Sequence, residues 1–172
     1  YYDNGYMEKT FTRFTPKKRI RRITEMKSGL ENGSSKLFSR GGDLQYEEFY
    51  KNGVLIGYSY QESPGKMTDT LFLDLKDTLM VSYYPNKVKA ASVPYKNGVY
   101  HGLVQYWYPN GKLEYEANYV NGEVEGSLNR FFESGKLSYE CLYILGKKHG
   151  EEKIFNEAGK QIESYHYYFD EL

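Results

Sequence analysis

Tyr95-Lys-Asn-Gly98, Tyr119-Val-Asn-Gly122 and Tyr143-Ile-Leu-Gly146 stand 24 residues apart, and Tyr167 continues the series. Three glycine columns keep step with them: Gly98, Gly122 and Gly146; Gly102, Gly126 and Gly150; Gly111, Gly135 and Gly159. Lys112, Lys136 and Lys160 follow the last column, and Trp107, Phe131 and Phe155 precede it. Coincidence of that many columns at one period identifies a repeat array, in which each unit buries its apolar surface against its neighbours.

The N-terminal half keeps the period with more drift, because Tyr2-Asp-Asn-Gly5, Met26-Lys-Ser-Gly29 and Tyr50-Lys-Asn-Gly53 are again 24 apart. From Tyr50 to Tyr95 the step is 45 residues, one full unit plus one shortened by three. The slack falls in 58–94, where Tyr83-Tyr84-Pro85-Asn86-Lys87 matches Trp107 to Lys112 less one glycine. The units so marked lie near 2–25, 26–49, 50–70 (short), 71–94 (degenerate), 95–118, 119–142 and 143–166, with a partial unit at 167–172.

Within a unit, Asn110-Gly111 and Asn121-Gly122 lie 11 residues apart. Asn-Gly between alternating runs is a strong hairpin signal, since both turn residues take positive φ. Each unit therefore holds two strands and two turns. Leu113, Tyr115, Ala117 and Tyr119 alternate with Glu114, Glu116 and Asn118, which is period two and predicts an apolar and a polar strand face. Gly102, Gly126 and Gly150 are read as strand starts where a bulge or a close aromatic ring excludes a side chain. No crossover helix is suggested, so consecutive strands pair in order. The expected fold is all-β: an elongated, single-layer antiparallel β-meander, a solenoid-like ribbon of stacked 24-residue hairpin repeats. About 14 strands at ~4.8 Å spacing give a ribbon on the order of 65 Å long.

Aromatic residues make up 17% of the chain and charged residues 27%, and the aromatics recur throughout, which excludes a disordered chain. Lys plus Arg equals Asp plus Glu at 23 each, so no overall field steers the protein to nucleic acid. The balance hides ten basic against five acidic residues in 1–43 and six against ten in 123–172. Those opposed charges suggest head-to-tail contact, but they also protect the edge strands from pairing, and a monomer is expected. The single Cys141 excludes an internal disulfide framework. The chain opens on Tyr1 rather than Met, so a processed secreted or periplasmic form stands beside a slightly favoured cytoplasmic one.

The pattern Tyr-x-Asn-Gly-x-x-x-Gly, an aromatic pair, then Asn-Gly-Lys-Leu-x-x-Glu resembles the MORN-variant repeats of bacterial proteins, including YwqK-type antitoxins. The resemblance covers residues 95–166 well and 2–57 fairly. It implies a non-enzymatic protein-protein interaction scaffold, with an antitoxin or immunity-type protein that docks on a partner toxin as the finer expectation. The alternative is a membrane- or envelope-associated scaffold contacting anionic lipid or surface polymer.

The residues offer little chemistry against that expectation. His101 and His149 occupy one repeat column two units apart, roughly 20 Å at the strand spacing, too far to share a metal. Glu114, Glu116 and Glu140 recur on the expected polar face beside Lys112 and Lys136, where cross-strand ion pairs are the default reading over paired catalytic acids. No catalytic, cofactor or metal site is assigned. Two features remain for binding. Lys17, Lys18, Arg19, Arg21 and Arg22 put five charges in six residues, either a solvated edge or a contact for an anion. Tyr106, Trp107, Tyr108, Phe131, Phe132, Tyr139 and Phe155 are candidate partner-binding aromatics, or the ladder that holds neighbouring hairpins together.

Overall fold

The computed structural model of the chain describes residues 2–3, 6–7, 9–74 and 76–171, the first four by backbone alone. The expected turn at Asn4-Gly5 lies outside the described residues. All regular structure among those described is β-strand. β1 (Lys9–Phe14), β2 (Ile20–Lys27), β3 (Leu30–Phe38), β4 (Leu44–Lys51), β5 (Val54–Ser59) and β6 (Leu71–Phe72) form one sheet. β7 (Asp77–Tyr83), β8 (Lys89–Lys96), β9 (Gly102–Trp107) and β10 (Leu113–Val120) begin the second. β11 (Glu123–Phe131), β12 (Leu137–Ile144), β13 (Lys147–Phe155) and β14 (Gln161–Tyr167) complete it, and Val99–Tyr100 makes a short extra strand on β8. Neighbours follow chain order and pair antiparallel, so the hairpin meander is the fold.

Two turn chemistries alternate. At Asn52-Gly53, Asn97-Gly98, Asn121-Gly122 and Leu145-Gly146 both residues take positive φ, the mirror-image turn whose twist matches the flanking strands. At Pro109-Asn110-Gly111 only the glycine does, with Gly111 N donating to Tyr108 O at 2.9 Å and Tyr108 N to Lys112 O at 2.8 Å. This is a three-residue loop closed by a left-handed residue. The same bonds recur from Tyr84 to Val88, where Lys87 adopts φ 66° in the place of Gly111. No glycine is deleted there; a lysine replaces it, and the three-residue slack lies earlier, in 60–76.

Turns of successive units are stitched side by side. Tyr84 Oη donates to Trp107 O at 2.6 Å and Tyr108 Oη to Phe131 O at 2.9 Å. Asn86 Nδ2 donates to Pro109 O at 2.8 Å and Asn110 Nδ2 to Glu133 O at 2.9 Å. Lys112 Nζ reaches Ser134 O at 2.6 Å, a backbone carbonyl rather than the cross-strand glutamate its column suggested.

The ribbon is interrupted once. After β5, the chain makes the small hairpin Gln61–Ser63/Lys66–Met67, returns as β6 along β5, and starts the second sheet at β7. The two sheets then face each other where the chain folds back, β3, β4 and β5 of the first over β7, β8 and β9 of the second. Leu37, Tyr46, Leu55 and Tyr58 pack on Met80, Ala91, Val93, Tyr95, Val104 and Tyr106. Tyr46 and Tyr106 share a hydrogen bond at 3.2 Å, and Tyr58 Oη donates to Val81 O at 3.1 Å. The single layer thus holds for the outer hairpins, where β1 and β14 stay mostly exposed, and becomes two layers at the fold-back. The accessible surface of 9972 Å² reflects both, since a compact monomer of 20.1 kDa exposes only about 8,700 Å² by size scaling.

Gly135 sits at φ 87°, and a Cβ there would lie 3.1 Å from Lys112 Cδ. Gly135→Val is expected to lower stability by at least ~1 kcal/mol, read from the chemical denaturation midpoint. Solution X-ray scattering should give a radius of gyration above the ~16 Å of a compact domain of this length.

Candidate functional site

The site is built by one local irregularity. After each three-residue turn the register slips: Tyr106 pairs with Tyr115 and Trp107 with Leu113, leaving Glu114 unpaired in a β-bulge. The same slip isolates Arg21, Gln45, Ala90, Ser138 and Ile162. A bulge residue escapes the alternation, so it and its successor both face inward. Leu113 accordingly turns outward beside Trp107, and Glu114, expected on the polar face, is buried between the sheets.

Arg21 Nη1 lies 2.9 Å from Glu114 Oε1, an ion pair joining the bulge of β2 to the bulge of β10. Gln45 Nε2, from the β4 bulge, donates to Glu114 Oε2 at 3.1 Å and to Trp107 O at 3.3 Å. The backbone N of Arg40 donates to Glu114 Oε1 at 3.1 Å. Burial pushes the Glu114 carboxyl above its ordinary value, against the pull of Arg21 and these donors.

A second charged cluster lies deeper in the same interface. Glu48 is fully buried, 2.6 Å from Arg22 Nη2, and accepts from Tyr95 Oη at 2.7 Å and Tyr50 Oη at 3.1 Å. Arg22 also donates through Nε to Ser35 Oγ at 2.7 Å. Burial raises the Glu48 carboxyl, and Arg22, Tyr95 and Tyr50 hold it back. The basic run therefore divides. Lys17 and Lys18 occupy an exposed turn and Arg19 donates to Arg40 O and Gly41 O, whereas Arg21 and Arg22 are drawn into the intersheet interface by the bulge.

The candidate aromatics divide too. Tyr106 and Tyr108 are buried, and Tyr139 faces inward, donating to Glu152 Oε1 at 2.5 Å. Trp107, Phe131 and Phe155 lie half-buried on the outer face, paired with Leu113, Leu137 and Gln161. Phe132 lines a cleft of ≈ 350 Å³ with Pro16, Arg19, Arg40 and Tyr108, where the turns of β1–β2 and β3–β4 approach those of the second sheet. Glu116 lies on the outer face with Gln105 and Asn129, both at 3.3 Å, and Glu140 pairs with Lys153 at 2.8 Å. His101 Nδ1 accepts from Asn121 N at 3.3 Å, His149 packs on Tyr168 and Phe169, and His166 is exposed. Cys141 is buried, with its thiol pushed up by burial. Among the described residues no cluster of His, Cys, Asp or Glu has the makings of a metal site.

No sequence feature singled out Glu48 or Gln45, and Glu114 was expected on the polar face. The available signal was the place in the repeat: Gln45 and Glu114 stand one residue past a Gly-x-Leu, Gly42-Asp43-Leu44 and Gly111-Lys112-Leu113, where the slip occurs.

Three segments, residues 31–55, 100–121 and 124–144, match the family model of the MORN repeat variant. Each spans about one hairpin unit, one in the first sheet and two in the second. No curated protein matches the chain.

Removing the Glu48 carboxylate leaves Arg22 in the interface with Glu31, at 3.6 Å, as its carboxylate partner. Glu48→Ala is expected to cost about 3 kcal/mol or more in denaturant unfolding. The same change at the exposed Glu62, paired with Lys66, should leave the midpoint unchanged.

Proposed function

We propose that this chain is a non-enzymatic scaffold that binds another protein through the outer face of its second sheet. One observation carries the reading. Trp107, Leu113, Phe131, Leu137 and Phe155 fall in one row across β9 to β13, on the side that the first sheet does not cover. Beside it runs a polar row of Gln105, Glu116, Asn129, Glu140 and Lys153, tied by cross-strand hydrogen bonds. An apolar row with a hydrogen-bonded polar margin has the anatomy of a protein interface, where aromatic anchors carry most of the affinity. Lys89 stands over the Trp107 ring at 5.0 Å and orients it.

The match to MORN repeats supports a scaffold of this kind. The finer reading, an antitoxin or immunity-type protein that occludes a toxin, rests on the resemblance of the repeats to those of YwqK-type proteins. The membrane reading loses part of its basis, because Arg21 and Arg22 are engaged by Glu114 and Glu48.

Affinity purification of the full chain from its native cells, with crosslinking, tests the proposal. A stoichiometric protein partner is expected, held by crosslinks to β9–β13. Trp107→Ala with Phe131→Ala should weaken it by at least about thirtyfold while the chain stays folded. Salt-sensitive co-sedimentation with anionic vesicles and no protein partner would overturn the reading.

A further inference from the structure

Inward of the same turns, a pocket of ≈ 220 Å³ opens between the sheets, lined by Arg21, Arg40 and Arg130 with Glu114, Tyr115 and Thr15. Three guanidiniums against one carboxylate leave two formal positive charges in excess. That carboxylate is already engaged, by Arg21 at 2.9 Å, by Gln45 and by the Arg40 backbone. Among the described residues, neither Arg40 nor Arg130 has a carboxylate within ion-pairing distance.

Like charges are held together here by the fold. Arg40 is carried on the β3–β4 turn, whose backbone is pinned by Glu114 and Arg19. Arg130 lies on β11, its guanidinium 4.9 Å from the Tyr139 ring, and Arg21 stands 5.7 Å from the Tyr106 ring. Burial first, and then Arg130, hold the Arg40 guanidinium below its ordinary range. Keeping half-buried cations adjacent with one carboxylate, already paired to Arg21, among them is unfavourable, and an anion between them offsets the penalty. Planar guanidiniums present paired N–H groups that match the oxygens of a carboxylate or a phosphate.

We infer that this pocket is a binding site for a small oxyanion, a carboxylate or phosphate group, clasped by Arg40 and Arg130 with Arg21 and Tyr115 at its margin. Its volume admits a compact anionic group, and the adjoining cleft, which shares Thr15, Pro16 and Arg40, gives room for the body of a small molecule against Tyr108 and Phe132. The site is on the inner side of the second sheet, opposite the outer aromatic row, so it stands or falls separately from protein binding there. A bound anion would bridge β1–β4 to β11 and tie the two sheets beyond the reach of their apolar core.

The test is isothermal titration of the full chain with inorganic phosphate and, separately, with succinate, at ionic strength matched by sodium chloride. One-to-one binding of either probe is expected; phosphate alone identifies a phosphoryl group, succinate alone a carboxylate, and both a general oxyanion site. Arg130→Gln should weaken binding by about tenfold or more, since a charge-assisted bidentate contact is lost. Arg40→Gln provides a second, independent variant, and Lys96→Gln, exposed at the opposite turn edge, should bind like the wild type. Unchanged melting midpoints without anion show that the variants are folded. No binding beyond matched chloride, or equal binding by the wild type and both arginine variants, overturns the proposal.

Discussion

The β-bulge that follows each three-residue turn is the constraint on which the rest of this structure depends. In a regular ladder, neighbouring side chains leave on opposite faces, and a single-layer ribbon has one row per strand to offer an opposing sheet. The extra residue sends two successive side chains inward: Arg21 with Arg22, Gln45 with Tyr46, Glu114 with Tyr115. One member of each pair feeds the apolar layer or its ion pairs, and the other reaches toward the turn edge. The Arg21–Glu114 contact is therefore a meeting of two bulges, and without the slip both charges would point to water.

That geometry decides how the fold-back is specified. The shared apolar core is modest, and small side chains such as Ala91, Val93 and Val104 do little to fix a register. Buried charge does not tolerate such freedom. Arg21 with Glu114, and Tyr95 with Glu48, meet across the two sheets in one relative placement, and a shift by one strand breaks both contacts, whereas Arg22–Glu48 lies within the first sheet. These intersheet polar contacts discriminate among placements more than they add net stability.

The period, the hairpins and the antiparallel order were legible because turn chemistry is local: Asn-Gly and Pro-Asn-Gly declare their φ requirements in two or three residues. The fold-back was not, since it arises from contacts such as Tyr46–Tyr106 and Tyr95–Glu48 between residues 60 and 47 positions apart, to which no repeat column points. Strand-face assignment failed at two adjacent residues, Leu113 and Glu114. Alternation counted through the bulge placed Glu114 on the polar face, and one missed slip carried Leu113 to the wrong side. Arg21 and Arg22 looked like surface charge for the same reason. At Lys87 the opposite occurred: a missing glycine suggested a deletion, while the backbone adopts the left-handed conformation regardless of residue type.

The side-by-side stitching of turns has a mechanical consequence. Tension applied along the ribbon loads the ladders between hairpins one after another, so the outer units should peel away singly, at low force and in small steps. At the middle, the facing sheets put Tyr46, Glu48, Arg21 and Glu114 under shear together, and nothing there yields until several contacts break at once. The molecule is thus a chain of weak links with one strong clasp, compliant at both ends and stiff where its halves meet.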